Sequence, residues 1–272
     1  MKVTIIQTNL LWEDSEKNIS HFNHLINSIS EKTDLIVLPE MFTTGFTMNP
    51  EKFAEKANGE TLTWLKQKAK QKKCAITGSV AIKDKNKFYN RLFWVEANGE
   101  LKVYNKRHLF RMAKEDKHYT AGNKKIITEI KDWKICPLVC YDLRFPVWSR
   151  NKFKSQNSKV KSQNVKEGVW DYDVLVFVAN WPAVRSYPWK QLLIARAIEN
   201  QCYVIGVNRI GKDGNNIDHS GDSMIINPRG EIISLTKANE ESIETIELNR
   251  NYLEEFRKIF PVGFDADKFK LL

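Results

Sequence analysis

A single α/β domain, with mixed β-sheets inside and helices outside, is the fold that the sequence predicts, and three observations predict it. Short continuous apolar runs, the pattern of strands buried on both faces, recur at residues 35–39, 133–139 and 173–179. These runs alternate with segments whose apolar residues recur at helical spacing. No stretch rich in Pro, Gly or Ser divides the chain, so its 272 residues read as one domain over 1–272.

The elements follow in order. An apolar run at 3–8 opens the fold as a strand. Ile19, Phe22, Leu25, Ile26 and Ile29 then share one face of a helix, with Asp14 or Ser15 available as its N-cap. After the strand at 35–39, Leu62, Leu65 and Ala69 mark a second amphipathic helix with lysines opposite. Residues 75–104 hold three strands, the last two joined at Asn98-Gly99, a strong hairpin turn. Strands at 126–130 and 133–139 flank Lys131-Asp132. In the second half, the strand at 173–179 leads to a helix over 189–201 and a strand over 203–208. A hairpin at 227–230, a strand near 242–248 and a helix from Asn249 to about Lys258 complete the series.

One segment departs from this style. Between Arg150 and Gly168, six basic residues stand against one acid, and the tandem repeat KSQNSKV–KSQNVKE runs from Lys154 to Glu167. So polar a run buries too little apolar area to offset its ordering entropy, so 151–168 reads as a solvated surface insertion. It carries about half of the net charge of +10. No nucleic-acid motif or aromatic-interleaved basic groove accompanies it, so a nucleic-acid partner is not expected. A non-enzymatic basic protein that binds an acidic partner through this segment is the remote alternative.

Composition excludes several classes. With 42% hydrophobic and 28% charged residues, 14 Phe and 8 Trp, the chain is neither disordered nor fibrous. Mean hydropathy is -0.47 and no apolar run nears the ~18–20 residues of a membrane span. Four cysteines over this length do not make a disulfide framework. The N-terminal apolar run contains Gln7, Thr8 and Asn9 and meets Glu13 and Asp14, unlike a secretory signal. The expectation is a cytoplasmic protein with free thiols.

Ligands bind beyond the carboxyl ends of strands in sheets of this kind. The run at 35–39 ends in Glu40, that at 133–139 in Cys140-Tyr141-Asp142, and that at 173–179 in Asn180-Trp181-Pro182; a hairpin strand ends just before Lys106. A carboxylate, an ammonium and a thiol on one rim suit covalent catalysis. Each also has a plainer reading: Cys140 as a small core hydrophobe, Glu40 as a turn cap, Lys106 facing water, and Glu115 in a solvated charged run. His21 and His24 lack a ligand partner nearby, and Cys136 and Cys140 have the wrong spacing for a zinc knuckle, so no metal is expected.

LIVLPEMF (35–42), NKRHLF (105–110) and VCYDLRFP (139–146) resemble the three catalytic blocks of the nitrilase, or carbon–nitrogen hydrolase, superfamily. The likeness continues through NWP at 180–182, RAIENQ at 196–201 and GDSMIINPRGE at 221–231. Within the superfamily, the MFTTGF and CYDLRFPVW segments look most similar to bacterial omega-amidases. The resemblance implies a four-layer αββα sandwich, pairing into homodimers or larger homo-oligomers, and no metal or organic cofactor. It also implies a Glu–Lys–Cys triad of Glu40, Lys106 and Cys140, with Glu115 as a second glutamate. The implied reaction is hydrolysis of the terminal amide of a 2-oxo acid monoamide such as 2-oxoglutaramate or 2-oxosuccinamate. The alternative is another carbon–nitrogen hydrolase, such as an N-carbamoyl amino acid hydrolase or a Nit-type amidase.

On that basis Lys106 is expected to favour the Cys140 thiolate, and the Tyr141 N–H to share the oxyanion with Lys106. Phe42, Phe110 and Trp181 are expected to wall the pocket. Arg185 is the first candidate for the substrate carboxylate, with Arg111 and Arg144 as rivals; Arg144 is alternatively a structural ion pair.

Overall fold

The computed structural model describes residues 1–156, 167–267 and 269. In the first half, β1 (Lys2–Gln7) leads to α1 (Ser15–Ser28), whose N-cap Asp14 accepts the Lys17 N–H. β2 (Leu35–Val37) returns parallel to β1. A short α2 (Pro50–Phe53) and β3 (Glu55–Lys56) precede α3 (Glu60–Lys72). β4 (Ala75–Asp84) then joins β2 in parallel, and β5 (Lys87–Val95) and β6 (Leu101–Asn105) extend the sheet as antiparallel hairpins. The turn between β5 and β6 places Gly99 at φ +86°, where glycine meets no steric cost.

After α4 (Glu115–His118), β7 (Thr128–Ile130) and β8 (Trp133–Val139) form a hairpin. α5 (Pro146–Ser149), β9 (Phe153–Gln156) and β10 (Glu167–Trp170) come next. β11 (Val174–Ala179), α6 (Ser186–Asn200) and β12 (Tyr203–Asn208) form a parallel crossover unit beside β8. β13 (Ile210–Lys212) and β14 (Asp218–Ser220) make a small hairpin, and β15 (Met224–Ile226) edges the second sheet, ordered β15-β12-β11-β8-β7. β16 (Ser242–Glu247) crosses back to lie antiparallel to β1, before α7 (Arg250–Ile259).

Strand alternation sorts the layers. Val3, Ile5, Leu35, Val37, Leu92 and Trp94 share one core with the apolar residues of β8, β11 and β12. Their neighbours Ile6, Ile36, Leu38, Phe93 and Val95 point the other way, onto Phe22, Leu25 and Ile26 of α1 and Leu62, Leu65 and Ala69 of α3. On the far face of the second sheet lie Trp189, Leu193 and Ala197 of α6. A Cβ at Gly206 would sit 2.4 Å from Leu193, so a side chain there would push α6 off β12. Helix, sheet, sheet, helix: the architecture is the four-layer αββα sandwich.

Differences from the sequence reading are local. The helix expected from residue 189 starts at Ser186, because Pro188 fits within a first helical turn. The strand expected at 126–130 shrinks to Thr128–Ile130. β3, α2 and the β13–β14 hairpin have too few residues to show a period, and the sequence does not reveal them. The insertion read as a loop over 151–168 has paired stems, Trp170 opposite Phe153 and Val169 opposite Lys154. Phe153 packs on Trp170 and Phe264, with ring centroids at 5.1 and 4.7 Å, so aromatic burial anchors the base. Residues 157–166, which hold most of the repeat, lie outside the described residues.

Candidate active site

Glu40 follows β2 at a sharp change of direction. Its neighbour Met41 has φ +42° and is held by a hydrogen bond from its N–H to Ser79 Oγ (2.9 Å). Lys106 follows β6, its backbone N–H bonded to the Asn90 carbonyl of β5 (2.9 Å). Glu115 opens α4. All three side chains are fully buried.

They converge on one ammonium. Lys106 Nζ lies 2.9 Å from Glu40 Oε1 and 3.1 and 3.0 Å from the two Glu115 oxygens. The remaining carboxylate positions are filled by neutral donors. The Asn180 N–H donates to Glu40 Oε2 (2.8 Å), the Phe110 N–H to Glu115 Oε2 (2.6 Å), and the Asn180 side-chain amide bonds the Glu40 carbonyl. Lys106 also sits 5.0 Å above the Phe46 ring.

Cys140 begins a 3-10 turn, Cys140–Arg144, directly after β8, and has φ +43°. A non-glycine residue in this region is strained by about 1–2 kcal/mol, so the rest of the turn must hold it there. Asp142 does so. Its Oδ2 accepts the Val139 N–H (3.1 Å) and the Tyr104 hydroxyl (2.7 Å), and its Oδ1 accepts the His108 N–H (3.0 Å). His108 Nδ1 lies 2.7 Å from the same oxygen, and its ring stacks on Phe145 with centroids 3.7 Å apart. One buried carboxylate thus ties the cysteine turn to the segment carrying Lys106. The sequence reading misses Asp142, Tyr104 and His108; their two-residue offsets from Cys140 and Lys106 are the signal available there.

The electrostatics run against one expectation. Burial, followed by the Glu40 charge, pushes the Cys140 thiol well above its ordinary range; Lys106 opposes this without prevailing. The resting sulfur is therefore a neutral thiol beside a carboxylate, not the thiolate expected from a nearby lysine. Burial would lower Lys106, but the Glu115 and Glu40 charges outweigh it and hold the ammonium charged. Burial raises Glu115, against the pull of Lys106.

Most of the pocket candidates gather around the cysteine turn. The Phe110 and Tyr141 rings meet edge to face at 5.0 Å, and Tyr141 meets Phe145 at 5.2 Å. The Arg185 guanidinium lies over Phe110 at 5.3 Å, and the Trp181 indole donates to the Arg185 carbonyl (2.7 Å). Arg144 lies over Trp181 at 5.3 Å. Among the described residues neither arginine has an acidic partner, so Arg144 is not the structural ion pair considered above. Phe42 is a correction: it packs on Phe22 and Trp64 in the helix-facing core rather than in the pocket. Phe46, four residues on, supplies the aromatic surface beside Lys106. The Tyr141 N–H belongs to the first turn of a 3-10 helix, where amides have no partner within the turn.

The model of the carbon–nitrogen hydrolase family matches residues 2–258. The chain belongs to the carbon–nitrogen hydrolase family. It is 46% identical to omega-amidase YafV of Escherichia coli K12 over 271 residues, covering 100% of this chain and 98% of that protein. The 2-oxoglutaramate amidase of Bacillus subtilis is 34% identical, with 98% and 99% covered. Among solved structures, XC1258 from Xanthomonas campestris, a CN-hydrolase superfamily protein with an arsenic adduct in its active site, superposes with a TM-score of 0.92. It is 39% identical over 100% of this chain and 99% of that one. In this carbon–nitrogen hydrolase the Glu40 carboxylate, the Lys106 ammonium and the Cys140 thiol thus lie just past the ends of β2, β6 and β8, the rim that the strand directions select.

Proposed function

We propose that this carbon–nitrogen hydrolase is an amidase acting on the terminal amide of 2-oxo acid monoamides, 2-oxoglutaramate or 2-oxosuccinamate, releasing ammonia. The observation that carries this reading is the fully buried Glu40–Lys106–Glu115 cluster beside a thiol on a strained turn, joined to full-length likeness to an omega-amidase.

The Cys140 sulfur attacks the amide carbonyl as Glu40 takes the thiol proton. A neutral thiol makes this concerted transfer necessary, and a positioned base of this kind contributes roughly 10²–10⁴-fold. The carbonyl oxygen becomes an oxyanion facing Lys106 and the Tyr141 N–H, each such donor worth about 3–4 kcal/mol. Collapse breaks the C–N bond, and Glu40 returns its proton to the leaving nitrogen, giving ammonia and a thioester. Glu40 then takes a proton from water as it attacks the thioester, and the released thiolate recovers that proton. Glu115 keeps Lys106 in place, and no step calls on a metal or organic cofactor.

Arg185 binds the substrate's 2-oxo carboxylate, supported by the lack of an acidic partner among the described residues and by its seat on Phe110. Arg185→Met should raise KM for 2-oxoglutaramate by about 10–100-fold, the worth of one charge-assisted hydrogen bond, with kcat little changed. Steady-state kinetics on 2-oxoglutaramate and on an uncharged amide check this; an equal loss on both would remove Arg185 from that role. The substrate class is tested by ammonia release from 2-oxoglutaramate against N-carbamoyl amino acids. Turnover of the latter alone would sink it.

No helix among the described residues is long and apolar enough to cross a membrane. The four free, buried cysteines favour a reducing, cytoplasmic setting. Val147 on α5, Val184 in the 3-10 turn before α6 and Tyr187 in the first turn of α6 are 52%, 82% and 74% exposed, and this exposed apolar surface supports a homodimer or larger assembly. Sedimentation as a monomer at micromolar concentration would refute that assembly.

A further inference from the structure

We infer that Asn90 is a positioning residue that keeps the two buried carboxylates apart and ionised, so that Glu40 stands ready as the base. This rests on the proposed role of Glu40. Asn90 is 1% exposed on β5, and its side-chain Nδ2 donates to both carboxylates, at 2.7 Å to Glu40 Oε1 and 3.3 Å to Glu115 Oε1. Its backbone carbonyl accepts the Lys106 N–H. One residue therefore fixes the lysine's main chain and both partners of its ammonium.

The orientation of the amide is dictated by chemistry. Asn90 Oδ1 accepts from Ser79 Oγ (2.8 Å), whose oxygen in turn accepts the Met41 N–H (2.9 Å). A flipped amide would turn its oxygen toward two carboxylate oxygens. The chain of bonds thus runs from the strained residue after Glu40, through Ser79 and Asn90, back to the Glu40 carboxylate.

The charge balance explains why such a donor is needed. Glu40 from the end of β2, Glu115 from α4 and Lys106 from the end of β6 sum to one excess negative charge in a dry site. The other titratable groups facing them, Cys140 from its turn and Tyr119 just past α4, are both pushed up and stay neutral. Two carboxylates around a single ammonium favour uptake of a proton, because like charges in low dielectric cannot both be left unsolvated. The Asn90 amide places one N–H on each, favouring the ionised pair.

The test is Asn90→Leu, with Ser79→Ala as a milder variant that frees the amide to rotate. For Asn90→Leu, kcat on 2-oxoglutaramate should fall about 10–100-fold with KM within about threefold. The acid limb of kcat/KM should move up by roughly one pH unit, since losing a donor favours the protonated carboxylate. Ser79→Ala should show the same upward displacement, smaller. A folded Asn90→Leu enzyme with the wild-type pH profile overturns the inference, and so does an unshifted profile in Ser79→Ala should Asn90→Leu not fold. Failure of the wild-type enzyme to hydrolyse any amide would instead strike the proposed function itself.

Discussion

Cys140→Ala is expected to lower ammonia release by about 10⁶-fold, the scale reached when a covalent nucleophile is deleted, while the fold is retained. The sulfur is the attacking atom, and no other thiol can replace it: Cys74, Cys136 and Cys202 are buried core residues, all pushed up by burial, and neither Glu40 nor Lys106 is among the charged groups that act on them. Alanine keeps the φ of +43° at residue 140, so its melting temperature should stay near that of the parent. Cys140→Gly should be equally inactive yet more stable by about 1 kcal/mol, because glycine adopts this backbone without penalty. Turnover retained in Cys140→Ala would reject a thioester, and a Cys140→Gly protein no more stable than the alanine variant would reject strain at the turn.

Much of the fold was legible because its signals are periodic. The strands at β2, β8 and β11 are short apolar runs, and α1 and α3 carry apolar residues on one face. Strand ends then name Glu40, Lys106 and Cys140 as neighbours, since all sit at the same rim. The protonation state of Cys140 was less accessible. A lysine nearby suggests a thiolate, but burial and the Glu40 charge decide otherwise, and burial is a property of packing rather than of spacing. Phe42 illustrates the same limit. It follows the Glu40 turn by two residues, yet the φ of +42° at Met41 turns the chain so that Phe42 enters the helix-facing core and Phe46 takes the place beside Lys106. Asn90 sits mid-strand with no motif, and it becomes visible when three separate segments are brought to one point.

Lys106→Met should destabilise the protein at neutral pH by about 3–5 kcal/mol, the cost of leaving buried charge without its partner. For a chain of this size that is a fall in melting temperature on the order of 10 °C. The loss should depend on pH in a defined sense. Burial already raises Glu115 in the folded protein, and the Lys106 charge is the main influence holding it down. Without the ammonium, the folded-state value rises further above the unfolded one. A carboxylate raised in this way stabilises fully below its unfolded value and loses that contribution as pH rises through the folded one. The deficit of Lys106→Met relative to the parent should therefore be small near pH 5 and large near pH 8, and thermal denaturation at both values measures it. Adding Glu115→Gln to Lys106→Met removes one of the two stranded charges and should recover part of the stability at pH 8 without restoring turnover, because the oxyanion still lacks its cation. A deficit equal at both pH values, unrelieved by the second substitution, would mean that Lys106 stabilises the fold through its packing and not through its charge.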